Sequence, residues 1–298
     1  MTINVVWHSQ EEGRGIYNCT TQLNDMFDHY DCKHIGGAKH FPKIEGGVVV
    51  VHGGREPGWL DKLNMDIEDL KWVLLIFLGD EEASFPIESV SHENAKIWIQ
   101  EPAVPGKHEG LAHRYILDGY SHDFHKYKEL NIVKDLEWVF AGQVTHSRRH
   151  ECVAALQSLD WGGVIVSSKQ YCGGVSKREY VNLMQRAQIA PCPSGPMSQD
   201  AARPWEALEV GAIPILDDLS PARQTPGFWE AVLGPSHPLP VIRDWAALPM
   251  RIEELKHGNL DKKRGECLTW WNTYKYKTSY WLEEDLKELG CTAPRLPF

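Results

Sequence analysis

Arginines at helix starts are the first chemistry this chain offers. In D-A-A-R-P-W-E-A-L-E-V-G-A-I-P-I-L-D-D, residues 200–218, Arg203 stands where a helix is predicted to begin. Pro204 suits the first helical position, Gly211 ends the helix, and Ile213 to Leu216 reads as the next strand. A cation there is opposed by the helix dipole unless an anion lies between it and the unpaired N–H groups. A second such place is F-A-G-Q-V-T-H-S-R-R-H-E, residues 140–151. A strand over Leu136 to Ala141 ends at Gly142, and Ser147 is the expected cap of a helix that opens with Arg148 and Arg149 and runs to about Leu159. Backbone N–H groups and two guanidinium groups at a helix start suit a diphosphate. Each stretch alone also reads as a solvated basic turn, or as a surface pair of Arg203 with Glu206; the two together favour an anion site. Glu206, one turn beyond Arg203, has the chemistry to accept from both hydroxyls of a ribose. Its plainer reading is a helix-surface glutamate.

Groups like these need strands that deliver them to a common edge. Short apolar runs alternate with helical patterns, the signature of a parallel sheet with crossover helices. Strands are expected near Ile3 to Trp7, Val48 to His52, Trp72 to Leu78, Ala95 to Gln100, Leu136 to Ala141, Gly163 to Val166, Ile189 to Pro191 and Ile213 to Leu216. Residues 101–133, rich in Pro, Gly, His and Tyr, show no period and mark a domain change near residue 132. The expected fold class is therefore α/β, with an N-terminal Rossmann-like domain over 1–132 and a C-terminal domain over 133–298. The tail from Asn259 to Leu289 reads as one or two helices with an aromatic face, W-W-N-T-Y-K-Y-K-T-S-Y-W, that packs back on the N-terminal domain. Two doubly wound domains facing a cleft bind ligands at the carboxyl ends of their strands.

Composition narrows the function classes. The 298 residues are 42% hydrophobic and 24% charged, as in an ordinary globular protein, and the net charge is -10. That charge disfavours broad non-specific binding to nucleic acid while allowing a local basic cleft. The seven cysteines are scattered and odd in number, which argues against a disulfide framework and a zinc site. His113, His122 and His125 fall in loops without tight ligand spacing. The start M-T-I-N-V-V-W lacks signal-peptide character, and the longest apolar run, Trp72 to Leu78, is too short to span a bilayer, so the expectation is a cytoplasmic protein without a membrane span.

The blocks Y-x-x-x-M-x-x-A-x-I-A-x-C-P-S-G (Tyr180 to Gly195) and D-x-x-R-x-x-E-A-L-E-x-G-A-I-P-I (Asp200 to Ile215), preceded by F-A-G and an arginine-rich helix start, resemble the exostosin-like glycosyltransferases over roughly residues 136–218. The resemblance implies the two-domain GT-B architecture and a nucleotide-sugar donor, a UDP-sugar in the first place, for transfer of a hexosyl or pentosyl group. It implies that Arg203 binds the donor phosphates, Glu206 the ribose, and Ser194 with Gly195 the sugar or phosphate, with Arg148 and Arg149 assisting. No D-x-D occurs in the chain, so the leaving diphosphate is expected to rely on fixed positive charge rather than on a metal, and no cofactor is expected. The acceptor is either a glycan or a hydroxymethylated DNA base of the kind some phage enzymes modify. A nucleotide-sugar epimerase or hydrolase, and a non-catalytic nucleotide-sugar-binding protein, are the competing classes.

Transfer to a hydroxyl needs a base, expected from the N-terminal half. W-V-L-L-I-F-L-G-D-E-E, residues 72–82, ends a buried strand in Asp80, Glu81 and Glu82, and crowded carboxylates raise one another's pKa towards neutrality. An acidic cap on the next helix is the plainer reading. His8, after the first strand in V-V-W-H-S-Q-E-E-G-R-G, competes for the role. V-H-G-G-R-E, residues 51–56, is a candidate lining for the acceptor pocket.

Overall fold

The computed structural model describes residues 2–8, 18–36, 41–52, 58–80, 84–100, 110–159, 162–169 and 174–296. The chain divides into two compact units: Met1–Asp118 with Lys275–Phe298, and Gly119–Tyr274.

The first unit contains β1 (Ile3–Trp7), α1 (Asn18–Phe27), β2 (Cys32–Gly36), β3 (Gly46–His52), α2 (Trp59–Ile67), β4 (Trp72–Leu78), β5 (Ala95–Gln100) and β6 (Arg114–Ile116). Its six strands lie in the order β2-β1-β3-β4-β5-β6, and every pair is parallel. β4, W-V-L-L-I-F-L, is buried at all seven positions because helices or other apolar segments cover both faces of a parallel sheet. One face packs Val5, Trp7, Val48, Leu74 and Ile76 with Phe27 of α1; the other packs Val49, Val51, Leu75 and Phe77 with Leu63 and Ile67 of α2.

The second unit contains α3 (Asp123–Tyr127), β7 (Leu136–Gln143), α4 (Ser147–Gln157), β8 (Gly163–Ser168), α5 (Lys177–Arg186), β9 (Ala187–Cys192), α6 (Ala202–Glu209), β10 (Ile213–Asp217), α7 (Phe228–Leu233), β11 (Val241–Ile242) and α8 (Leu248–His257). The five parallel strands lie in the order β11-β10-β9-β7-β8. Both sheets thus follow one plan. The first strand of each has the second on one side and the third on the other, so successive connections leave in opposite directions at that point. An open crevice results at the carboxyl ends of the diverging strands.

The eight strands expected from the sequence are present, with ends shifted by no more than two residues. The three not anticipated, β2, β6 and β11, all lie at sheet edges. An edge strand buries less of itself and can be short and polar, as C-K-H-I-G, R-Y-I and V-I are.

The unit boundary falls after Asp118, where the sequence reading placed a change near 132. Residues beyond Asp118 pack with the second unit: the Tyr120 ring meets Trp271 edge-on at 6.1 Å, and Phe124 meets Tyr180 at 5.8 Å. The last helix, α9 (Leu260–Glu288), is shared between the units. In the second unit Trp271 stacks on Trp205 of α6 at 5.3 Å and on Tyr274 at 5.6 Å. From Lys275 onward the helix belongs to the first unit, where Leu282 and Leu286 join the core and the Trp98 indole donates to Asp285 Oδ2 at 2.7 Å.

Candidate functional site

The crevice of the second sheet lies between the carboxyl ends of β7 and β9. The loop from β7 to α4 supplies Gly142, His146, Arg148 and Arg149. The loop from β9 to α6 supplies Ser194 and Gly195, and α6 supplies Arg203. Neither α4 nor α6 has a side-chain cap at its N-terminus, so the free N–H groups of two helices are available there. The position next to α4 is His146 rather than Ser147, which is already the first helical residue.

Arg203 is the central cation. Its guanidinium lies over the Phe140 ring at 4.8 Å, and Nη2 donates to the Ala141 carbonyl at 3.3 Å. It passes where a side chain on residue 142 would sit, since a Cβ on Gly142 would come within 2.2 Å of Nη2. The F-A-G end of β7 is therefore a cradle: ring, carbonyl and gap in three successive residues. Among the described residues Arg203 makes no ion pair, and its Nε is buried without a hydrogen bond. A buried donor of this kind is costly unless something completes it.

Adjacent arginines on α4 have different fates. Arg149 spans the crevice, Nε donating to the Ser194 carbonyl and Nη1 to the Gln143 carbonyl, both at 3.3 Å. Arg148 turns away from it to Asp217 at the end of β10, with Nε to Oδ2 at 3.1 Å and Nη2 to Oδ1 at 2.5 Å, and it also reaches Glu151 and the Arg243 carbonyl. Asp217 is wholly buried and further accepts from the Trp245 indole at 3.0 Å and the Leu219 N–H at 3.2 Å. Burial pushes its carboxyl above the usual range, and the Arg148 guanidinium opposes that. Arg148, expected to assist a phosphate, is paired with two carboxylates in this structure. Its charge is already met inside the protein, and with Asp217 it fixes the loop that carries Ser194.

Glu206 differs from expectation in the same way. It is buried on α6, and the Tyr180 hydroxyl of α5 donates to its Oε2 at 2.7 Å. Burial raises its pKa, while the Tyr180 hydrogen bond and the Arg203 charge oppose the rise. A carboxylate so placed ties α5 to α6. The expected surface pair of Glu206 with Arg203 does not form.

Ser194 has no exposed surface and its Oγ has no hydrogen-bond partner; Gly195 beside it is also buried. His146, missed by sequence reasoning, lies between the arginines, and burial together with the Arg149 charge pushes its imidazole down to about 4. The signal was present in V-T-H-S-R-R: a histidine in the loop that opens an arginine-rich helix.

The first sheet places His8 at the corresponding point, directly after β1 and beside β3. Its N–H donates to the Val50 carbonyl at 2.9 Å, and its Nε2 lies 2.9 Å from Asp66 Oδ2 on α2. Lys62 bonds the same carboxylate oxygen. A carboxylate on one ring nitrogen fixes the tautomer and leaves the other nitrogen as an acceptor. Asp80, by contrast, accepts at Oδ1 from the Ser84 N–H at 2.7 Å and hydroxyl at 2.9 Å, and at Oδ2 from the Phe85 N–H at 2.8 Å. Both oxygens are engaged in closing a turn, rather than capping the next helix. Glu81, Glu82 and residues 53–56 of the V-H-G-G-R-E stretch lie outside the described residues. Among the described residues no helix is long and apolar enough to cross a membrane.

Comparison with known proteins adds a family relation. No curated protein matched the chain. Residues 146–288, slightly under half of the chain, match the family described as the RXYLT1 C-terminal domain. The matched stretch starts at His146 and takes in Arg149, Ser194, Gly195 and Arg203. It supports a relation to a glycosyltransferase family, the relation that the blocks at Tyr180 to Gly195 and Asp200 to Ile215 also carry.

Proposed function

We propose that this protein is a glycosyltransferase whose second unit holds a nucleotide-sugar, a UDP-sugar, and passes the sugar to an acceptor hydroxyl. The observation that carries the reading is Arg203: a cation without an ion pair among the described residues, on the uncapped first turn of α6 and cradled at the end of β7. In the reaction the acceptor oxygen attacks the anomeric carbon, the bond from that carbon to the diphosphate oxygen breaks, and the acceptor proton passes to a base. Charge developing on the leaving diphosphate is met by Arg203, Arg149 and the helix N–H groups. These fixed groups supply what a metal supplies elsewhere, so the proposal includes none. Among the first-unit candidates His8 fits the base best, because Asp66 orients it while Asp80 is engaged with its own turn.

The net charge of -10 favours a glycan acceptor over a hydroxymethylated DNA base. The test is calorimetry with UDP and UDP-sugars in the presence of EDTA, followed by transfer assays on glycans and on hydroxymethylated DNA. Arg203→Ala is expected to weaken UDP binding by about 2 kcal/mol, the scale of a lost charge-assisted hydrogen bond. Binding that is absent in the parent, or unchanged in the variant, removes the donor-site reading. Turnover of a UDP-sugar without any acceptor would move the protein to the hydrolase or epimerase class.

A further inference from the structure

Three buried polar groups on separate segments of the second unit lack a partner and lie around one crevice. They are the His146 ring, neither nitrogen of which makes a hydrogen bond of good geometry although the Ser194 backbone lies beside it, Ser194 Oγ and Arg203 Nε. Ser194 is fully buried. Unpaired buried polar atoms are few in folded proteins, and a cluster of them at the ends of two adjacent parallel strands points to a ligand. His146 precedes α4, an eleven-residue helix, with an extended backbone and no side-chain bond to the helix N–H groups. Its ring is therefore not serving as a cap.

We propose that His146 is a phosphate-contacting residue of this crevice, meeting an oxygen of the same diphosphate that Arg203 and Arg149 face. The proposal rests on the nucleotide-sugar reading and adds a residue to it. The charged and titratable groups facing the ring are Arg149, His150 and Arg203, with the Ser194 carbonyl favouring the protonated form. Burial and the nearby cations push the imidazole down to about 4. A diphosphate reverses the sign of the local field, so the ring takes up a proton as the ligand enters, and two N–H donors replace one.

The consequence is a proton linkage that a packing role would not produce. UDP-glucose is the suitable probe, because its diphosphate diester keeps a constant charge across the range where histidine titrates. Calorimetry on the full chain at about pH 5.5, in buffers of different ionisation heat, is expected to show uptake of roughly one proton. Affinity is expected to be on the order of tenfold tighter at about pH 5.5 than at about pH 8. His146→Gln should lose both effects, and His150→Gln should keep them. Binding by the parent without proton uptake, or uptake that survives in His146→Gln and vanishes in His150→Gln, overturns the assignment and leaves the nucleotide-sugar site standing. If neither UDP nor UDP-glucose binds the parent at any pH, the site reading itself falls, and this proposal with it.

Discussion

The two sheets share a strand order, yet among the described residues the charges beside their diverging strands are met differently. Between β7 and β9 lie Arg203, without an ion pair among the described residues, and Arg149 on backbone carbonyls, with unpaired donors on Ser194 and His146. Next to β1, His8, Asp66 and Lys62 form a closed set in which the positive and negative groups meet each other. On the proposed reading, topology sets where a ligand would lie and local charge sets its chemistry: Arg203, without an ion pair among the described residues, suits an anion, and a histidine held by a carboxylate suits a base.

The contrast can be broken in three places. The largest expected effect is on turnover. His8→Ala should lower sugar transfer by about 10²- to 10⁴-fold, the usual contribution of a positioned base. UDP affinity should stay within about twofold in the same variant. Steady-state transfer rates beside calorimetry separate the two quantities, and a variant with full activity would remove His8 from the chemistry.

Next in size is a loss of stability. Asp217→Ala leaves the buried Arg148 with only the half-exposed Glu151 as counter-charge and strips the Trp245 indole of its acceptor, so unfolding in denaturant should show a cost of about 3 kcal/mol. A loss below about 1 kcal/mol would mean that water or Glu151 takes over from Asp217 and that the hub is dispensable.

The smallest effect probes the cradle. Gly142→Ala puts a methyl group where Arg203 Nη2 lies, and the displaced atom is the far end of a flexible side chain. The φ of +159° at residue 142 adds some strain for a side chain, so stability should fall by about 1–2 kcal/mol while UDP affinity drops about tenfold. Equal affinity in the two proteins would show that the guanidinium reaches its ligand from elsewhere.

Much of the scaffold was legible before any coordinates. Val48 to Val51 and Trp72 to Leu78 are long apolar runs bounded by glycine or polar residues, and central parallel strands must look like that because both faces are covered. The outer strands were not legible: C-K-H-I-G alternates too little and R-Y-I is too short to stand out from a loop. The site was half legible. Arg203 and Gly142 were found through their places at a helix start and a strand end. Tyr180 lay inside a recognised block, but nothing local said that its hydroxyl would reach Glu206 across two helices. Asp80 shows the same limit, since a carboxylate after a strand reads equally well as a base or as the acceptor for the next turn.

Periodicity and end signals, being local properties, were enough to set the α/β class, the places of the core strands along the chain and those of the arginine-bearing helix starts. Which charges stay unmet was settled only by folding. Arg148 and Arg149 are neighbours of identical chemistry, yet one side chain points to Asp217, 69 residues away, and the other to the carbonyl of Ser194, 45 residues away. Residues one position apart on a helix are rotated by about 100°, so they face different parts of the tertiary structure. The partners met there decide whether a guanidinium is a structural rivet or part of a binding site.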